Sequence, residues 1–176
     1  EVPVALEFNG LSYAVMMASP RELDDFATGF ALAEGLAAHA AEVTSIASSE
    51  VPDGWIVRAR LSGLGVEKLT ERVRTRVAES SCGLCGIDNL KEVARPLPPV
   101  AAHTRIEPAA VFAALSALAP LQTLGRATGA AHAAAWSDPS GMIGCLREDV
   151  GRHNAVDKLI GAMARAGKPL APGFVL

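Results

Sequence analysis

Two short segments hold most of the residues able to do chemistry. The first is Ser80-Ser81-Cys82-Gly83-Leu84-Cys85-Gly86, a pair of thiols in a run of small residues. The second spans residues 147–158 and reads Arg-Glu-Asp-Val-Gly-Arg-His-Asn-Ala-Val-Asp-Lys, dense with charge in a chain that is otherwise alanine-rich and apolar. The Cys82-x-x-Cys85 spacing allows several chemistries. As half of a zinc site it needs two more ligands, and Cys145, His103, His132 and His153 offer no second close pair. As a dithiol redox centre it has the right spacing but lacks the strand-to-helix step of such sites. As a sulfur carrier it would hold a sulfane sulfur as a persulfide, which needs an exposed thiolate on a loop with small neighbours; Ser80, Ser81, Gly83 and Gly86 fit that need. Two loop thiols without a role is the remaining possibility, and spacing alone does not choose.

The 147–158 segment follows an apolar run, Met142-Ile143-Gly144-Cys145-Leu146, and precedes Ala155, Val156, Leu159, Ile160 and Met163, which share one helix face. Charge between a buried strand and a helix start is costly unless it is paired or binds something. It therefore reads either as a polar network fixing a strand–helix corner or as a receptor for an anion at a helix N-terminus, with Arg147, Arg152 and Lys158 as the cations. Asn154 is expected to cap that helix, Asp157 to complete the capping pair, and Gly151 to supply the bend. Of the other candidates, His132 starts an expected strand after a Gly-containing loop, and Cys145 lies inside an apolar run.

The elements that must position these segments can be read from turns and periodicity. Residues 2–8 and 11–17 flank Asn9-Gly10, a hairpin signal. Ser19-Pro20-Arg21-Glu22 has the form of a capping box, and the helix it would start carries Leu23, Phe26, Ala27, Phe30 and Ala31 on one face and stops at Gly35. Strands are expected near 43–47 and 55–61, then an amphipathic helix with Val66, Leu69, Val73 and Val77 inward, the cysteine segment, and a short polar helix over 88–94. Pro96-Leu97-Pro98-Pro99 reads as a stiff connector between domains 1–100 and 101–176. Beyond it the pattern is a buried helix (108–118), strand (131–136), turn (137–141), strand (142–147) and helix (154–166). Gly173-Phe174-Val175-Leu176 looks like the opening of another strand, so the chain is expected to be C-terminally truncated.

The bulk properties narrow the partners. The 176 residues are half hydrophobic with a net charge of −3, which argues against nucleic acid or a polybasic membrane contact. The longest apolar stretch, 108–121, is too short to span a bilayer. Three cysteines, an odd number, do not suggest a secreted disulfide framework, and a reducing cytoplasm fits them better.

Taken together, residues 81–86 and 147–158 resemble the FdhD/NarQ family of accessory sulfurtransferases for formate dehydrogenase. Residues 20–35, a helix ending in Glu-Gly, and residues 128–135 extend the resemblance. The resemblance implies that Cys82 carries a persulfide and that Cys85 assists it. It implies a cysteine desulfurase as sulfur donor and formate dehydrogenase as recipient. The client would be the molybdenum or tungsten bis-pterin guanine dinucleotide cofactor, with GDP-like nucleotides as related ligands and no resident cofactor or metal. His132, Glu148, Asp149, Gly151, Arg152, His153, Asn154, Asp157 and Lys158 match family motifs expected to line the cofactor cavity. It further implies a homodimer and an α/β fold of two small α/β (α+β) domains, the C-terminal one cytidine-deaminase-like with helices on a mixed sheet. Ala130 departs from the pattern where a second Gly is expected. A zinc deaminase would need His-x-Glu and a later Pro-Cys-x-x-Cys; His132 is followed by Ala133 and Ala134, which excludes that chemistry. The alternative function is a noncatalytic module that holds the pterin cofactor while the cysteines do nothing essential.

Overall fold

The computed structural model describes residues 1–63, 69, 77–78, 99–100 and 104–176. Strands β1 (Val2–Phe8) and β2 (Leu11–Ala18) form the expected hairpin. Its turn places Asn9 at φ 51° and Gly10 at φ 85°, the left-handed pair that Asn-Gly adopts most cheaply. The Asn9 side chain also accepts from Leu61 N (2.8 Å) and donates to Leu61 O (3.1 Å), tying the turn to a neighbouring strand. Helix α1 (Leu23–Ala33) ends as expected near Gly35, whose φ is 67°. Strand β3 (Val43–Val51) pairs antiparallel with β4 (Gly54–Leu61), and β4 runs parallel to β1. Strand β5 (Val77–Ala78) lies parallel to β2, with Val15 opposite Val77 and Met16 opposite Ala78. The sheet order is β3-β4-β1-β2-β5. Val77 is thus in a strand rather than at the end of a helix; a short apolar run fits either, and the open edge of β2 decides. Leu69, from the same expected helix, is helical and fully buried.

Alternation along β1 turns Val4, Leu6 and Phe8 toward α1, where Phe26 and Phe30 meet them. Phe8, Tyr13 and Phe30 pack as one aromatic group, with ring centroids 5.7–6.2 Å apart. The second half has helix α2 (Pro108–Leu121), short helix α3 (Thr123–Thr128), strands β6 (His132–Ser137) and β7 (Ile143–Asp149), helix α4 (Arg152–Arg165) and strand β8 (Phe174–Val175). Its three strands are antiparallel in the order β7-β6-β8, so the mixed pairing of the fold belongs to the first sheet. The molecule is mixed α/β with two sheets. The core of the second half is small: Ala134, Ala155, Leu159 and Met163, with Trp136 and Cys145 against them.

Three local expectations are corrected. Helix α1 starts at Leu23 behind Glu22 at φ 47°, and Ser19 does not cap it. Helix α4 starts at Arg152 with Gly151 as N-cap, so Asn154 lies inside the helix. Helix α2 buries only Ala110 and Ala114, leaving Phe112 and Leu115 exposed. The expected helix 88–94, Cys82, Cys85, connector residues 96–98 and His103 lie outside the described residues. Among the described residues no helix is long and apolar enough to cross a membrane.

The two halves meet where α1 crosses α4 at Gly29 and Gly161. A methyl group at Gly29 would overlap the Asp157 carbonyl, and one at Gly161 would overlap the Asp25 carbonyl. Only hydrogen at both positions lets the backbones come this close.

Candidate functional site at the start of helix α4

Strand β7 delivers Asp149 to the seam between the halves. Asp149 is fully buried and pairs with Lys158 at 2.6 Å, also fully buried, two turns into α4. The same carboxylate accepts from Ser19 N (2.9 Å), Gly151 N (2.8 Å) and Asn154 Nδ2 (3.0 Å). Lys158 Nζ donates to Ser19 O (3.0 Å), Val150 N donates to Ser19 Oγ (3.1 Å), and Asn154 Nδ2 donates to Met17 O (2.8 Å). Ser19 therefore spends its N–H, carbonyl and hydroxyl on the other half of the molecule. This explains the first two corrections: Ser19 and Asn154 are drawn into one interhalf network and are not available as caps.

A second cluster lies beside it. Asp25 of α1 accepts from Arg147 Nε of β7 (2.9 Å) and Arg165 Nη1 of α4 (2.6 Å). Glu148 faces elsewhere, accepting from Leu124 N (2.8 Å), Gly125 N (2.7 Å) and Thr123 Oγ1 (3.2 Å), so it caps the start of α3. A pocket of about 110 Å³ at the seam, bordered by Arg21, Glu22, Arg147 and Glu148, is far below the roughly 300–1,000 Å³ of an enclosed small-molecule site.

Of the sequence-selected residues, Asp149, Asn154 and Lys158 are sealed in the network and Glu148 is buried. His132 and Arg152 are exposed, while Gly151, His153 and Asp157 are partly so. His132 is the strand partner of Asp149, which sets it at the same rim as the first turn of α4. Of the three cations expected to receive an anion, Arg147 pairs with Asp25 and Lys158 with Asp149, and Arg152 is exposed and has a contact of its own. The positive end of the α4 dipole adds to that rim. Sequence reasoning missed Ser19, Met17, Asp25 and Arg165. Ser19 carried a signal, but one that pointed to a helix cap. Among the described residues no group of three or more His, Cys, Asp or Glu could hold a metal ion.

The FdhD/NarQ family model matches residues 1–176. A protein of Bordetella bronchiseptica named sulfur carrier protein FdhD is 47% identical over 176 residues, covering 100% of this chain and 64% of its own length. One of the same name from Variovorax paradoxus is 43% identical over 175 residues, covering 99% of this chain and 63% of its own length. The chain thus spans just under two thirds of these curated relatives. A crystal structure from Desulfotalea psychrophila, of a protein described as a formate dehydrogenase accessory protein, superposes with a TM-score of 0.66 at 22% identity. It covers 99% of this chain and 62% of that one, and supports the fold.

Proposed function

Because the chain belongs to the FdhD/NarQ family, we propose that it is a sulfur carrier serving formate dehydrogenase, with Cys82 as the persulfide-bearing thiol and Cys85 assisting. The donor is a cysteine desulfurase and the client is the molybdenum or tungsten bis-pterin guanine dinucleotide cofactor; the setting is cytoplasmic and the working form a homodimer. In the loading step the Cys82 thiolate attacks the outer sulfur of the donor's persulfide. One S–S bond forms on Cys82, the donor's S–S bond breaks, and the donor leaves as a thiolate. On handing over, the Cys82 S–S bond breaks with its electron pair staying on Cys82 as thiolate, and the outer sulfur passes as a neutral sulfur atom to the client, which supplies the electron pair of the new bond.

The observation that carries this reading is the family match over residues 1–176, with relatives named sulfur carrier protein FdhD, and the placement of β5 fits it. Strand β5 runs parallel to β2, so both strands head toward the sheet end where Ser19 meets Asp149. Cys82 follows Ala78 by four residues, which span at most about 14 Å. Ala78, the last described residue before Cys82, is the strand partner of Met16, three residues short of Ser19, and His132, Gly151, Arg152, His153 and Asp157 gather beyond Ser19 at the start of α4. That rim presents the N-terminus of α4 to a polyanionic client.

The test is intact-protein mass spectrometry after incubation with a cysteine desulfurase and cysteine. The wild type is expected to gain about one sulfur, reversed by reductant, and Cys82→Ala to gain none while still binding the cofactor. A Cys82→Ala protein that supports formate dehydrogenase activation as well as the wild type would replace this reading with the cofactor-holding module.

A further inference from the structure

We infer that Asp149, Asn154 and Lys158 are positioning residues that fix the start of α4 against the end of β2 and do not themselves touch the client. The inference rests on the sulfur-carrier reading above. It assigns these three side chains a role distinct from that of the exposed rim.

Burial closes these side chains to a ligand, and most of their bonding is spent within the seam. A carboxylate offers about four lone-pair sites, and Asp149 has four donors on it: Lys158, Ser19, Gly151 and Asn154. Both protons of the Asn154 amide are spent, one on Met17 O and one on Asp149. These two acceptors also fix the amide's orientation, which leaves Asn154 Oδ1 buried without a hydrogen-bond partner. Lys158 is fully buried between Asp149 and the Ser19 carbonyl. A ligand could reach these groups only by taking the seam apart.

Stability alone does not account for the arrangement. A buried ion pair often contributes no more than well-packed apolar residues of the same volume would. What hydrogen bonds add is direction, because they weaken steeply when distance or angle is wrong. Here they bind the two elements that matter for sulfur transfer. Met17 and Ser19 lie one and three residues beyond Met16, the strand partner of Ala78, from which the cysteine segment departs. Asp149 is the strand partner of His132 and is followed directly by the α4 turn. The network thus sets the root of the cysteine segment relative to the rim that would receive the client. Misplacement of reacting groups by about 1 Å can cost a hundredfold in rate.

The experiment follows loading and discharge separately. Wild type, Lys158→Met, the near-isosteric Asn154→Leu, and Leu159→Ala are charged by a cysteine desulfurase with cysteine and freed of donor. Discharge of the Cys82 persulfide to saturating molybdenum bis-pterin guanine dinucleotide is then followed by mass. Leu159→Ala is the control for lost stability, since Leu159 is buried beside Lys158 in the small core but is apolar. Lys158→Met is expected to load like the wild type and to discharge about tenfold more slowly at saturation, with Asn154→Leu slowed in the same sense. Leu159→Ala is expected to discharge at close to the wild-type rate despite a lower melting temperature. Wild-type discharge by both network variants, or equal slowing by Leu159→Ala, would overturn the positioning role while leaving the carrier reading intact. Should Lys158→Met not fold, Asn154→Leu decides. A wild type that never loads would remove the carrier reading itself, and this inference with it.

Discussion

The two halves of the molecule are held together by different means. The first is built on a broad apolar core in which Val4, Leu6, Phe8, Tyr13, Phe26 and Phe30 interlock between sheet and helix. The second has four buried apolar residues at its centre, two of them alanines. Its remaining order comes from the seam: the close backbone approach at Gly29 and Gly161, the Asp149–Lys158–Ser19 network, and Asp25 between Arg147 and Arg165. The first half stabilises itself through area removed from water, whereas the second leans on the first through directional contacts. Apolar cores tolerate repacking. Polar networks do not tolerate the loss of one member.

This contrast can be broken at several points. Phe30→Ala should have the largest effect, about 3–5 kcal/mol, since it removes the ring that touches Phe8, Tyr13 and Phe26. Met163→Ala in the small core should cost about 2 kcal/mol, the lower end for a buried Met. Urea denaturation of both variants checks the order, and equal losses would erase the distinction between the cores. Gly29→Ala should cost about 1–3 kcal/mol by forcing the helices apart. Its signature should be faster amide exchange throughout α4 with the β1–β2 hairpin unchanged; exchange rising only in α1 would show that the seam does not support the second half.

The smallest effect is confined to the β6–β7 turn. The hydroxyl of Ser140 and the backbone N–H groups of Met142, Ser140 and Gly141 hold the Asp138 carboxyl below its ordinary value of 3.8, outweighing an opposing desolvation. A depressed carboxyl stabilises the fold above its unfolded pKa and loses that contribution as pH falls through the folded one. Protection of the Met142 amide should therefore decline on acidification below about pH 4 in the wild type and stay flat in Asp138→Asn.

Legibility in the sequence followed the range of the interaction. The Asn9-Gly10 turn, the stop of α1 near Gly35 and the strands at β6 and β7 depend on neighbours a few residues away, and all are visible in the chain. Ser19 was legible only as a cap, because its true partner Asp149 lies 130 residues on. Separations of 122 and 140 residues likewise hid Asp25 from Arg147 and Arg165. Residues 147–158 stood out by charge, but charge does not separate a buried pair from an exposed rim; only the fold sorts Lys158 from Arg152. Helix α2 is apolar on every side, so its sequence cannot specify which face is covered. Helix α3, six residues containing Gly125, is too short to show a period.

The most direct test of the account is a sulfur pulse–chase with labelled cysteine, a cysteine desulfurase, this protein and inactive formate dehydrogenase. The account predicts that label appears first on Cys82 and then leaves it as label and activity appear in the dehydrogenase, with neither step in Cys82→Ala. Label reaching the dehydrogenase at the same rate through Cys82→Ala would contradict it.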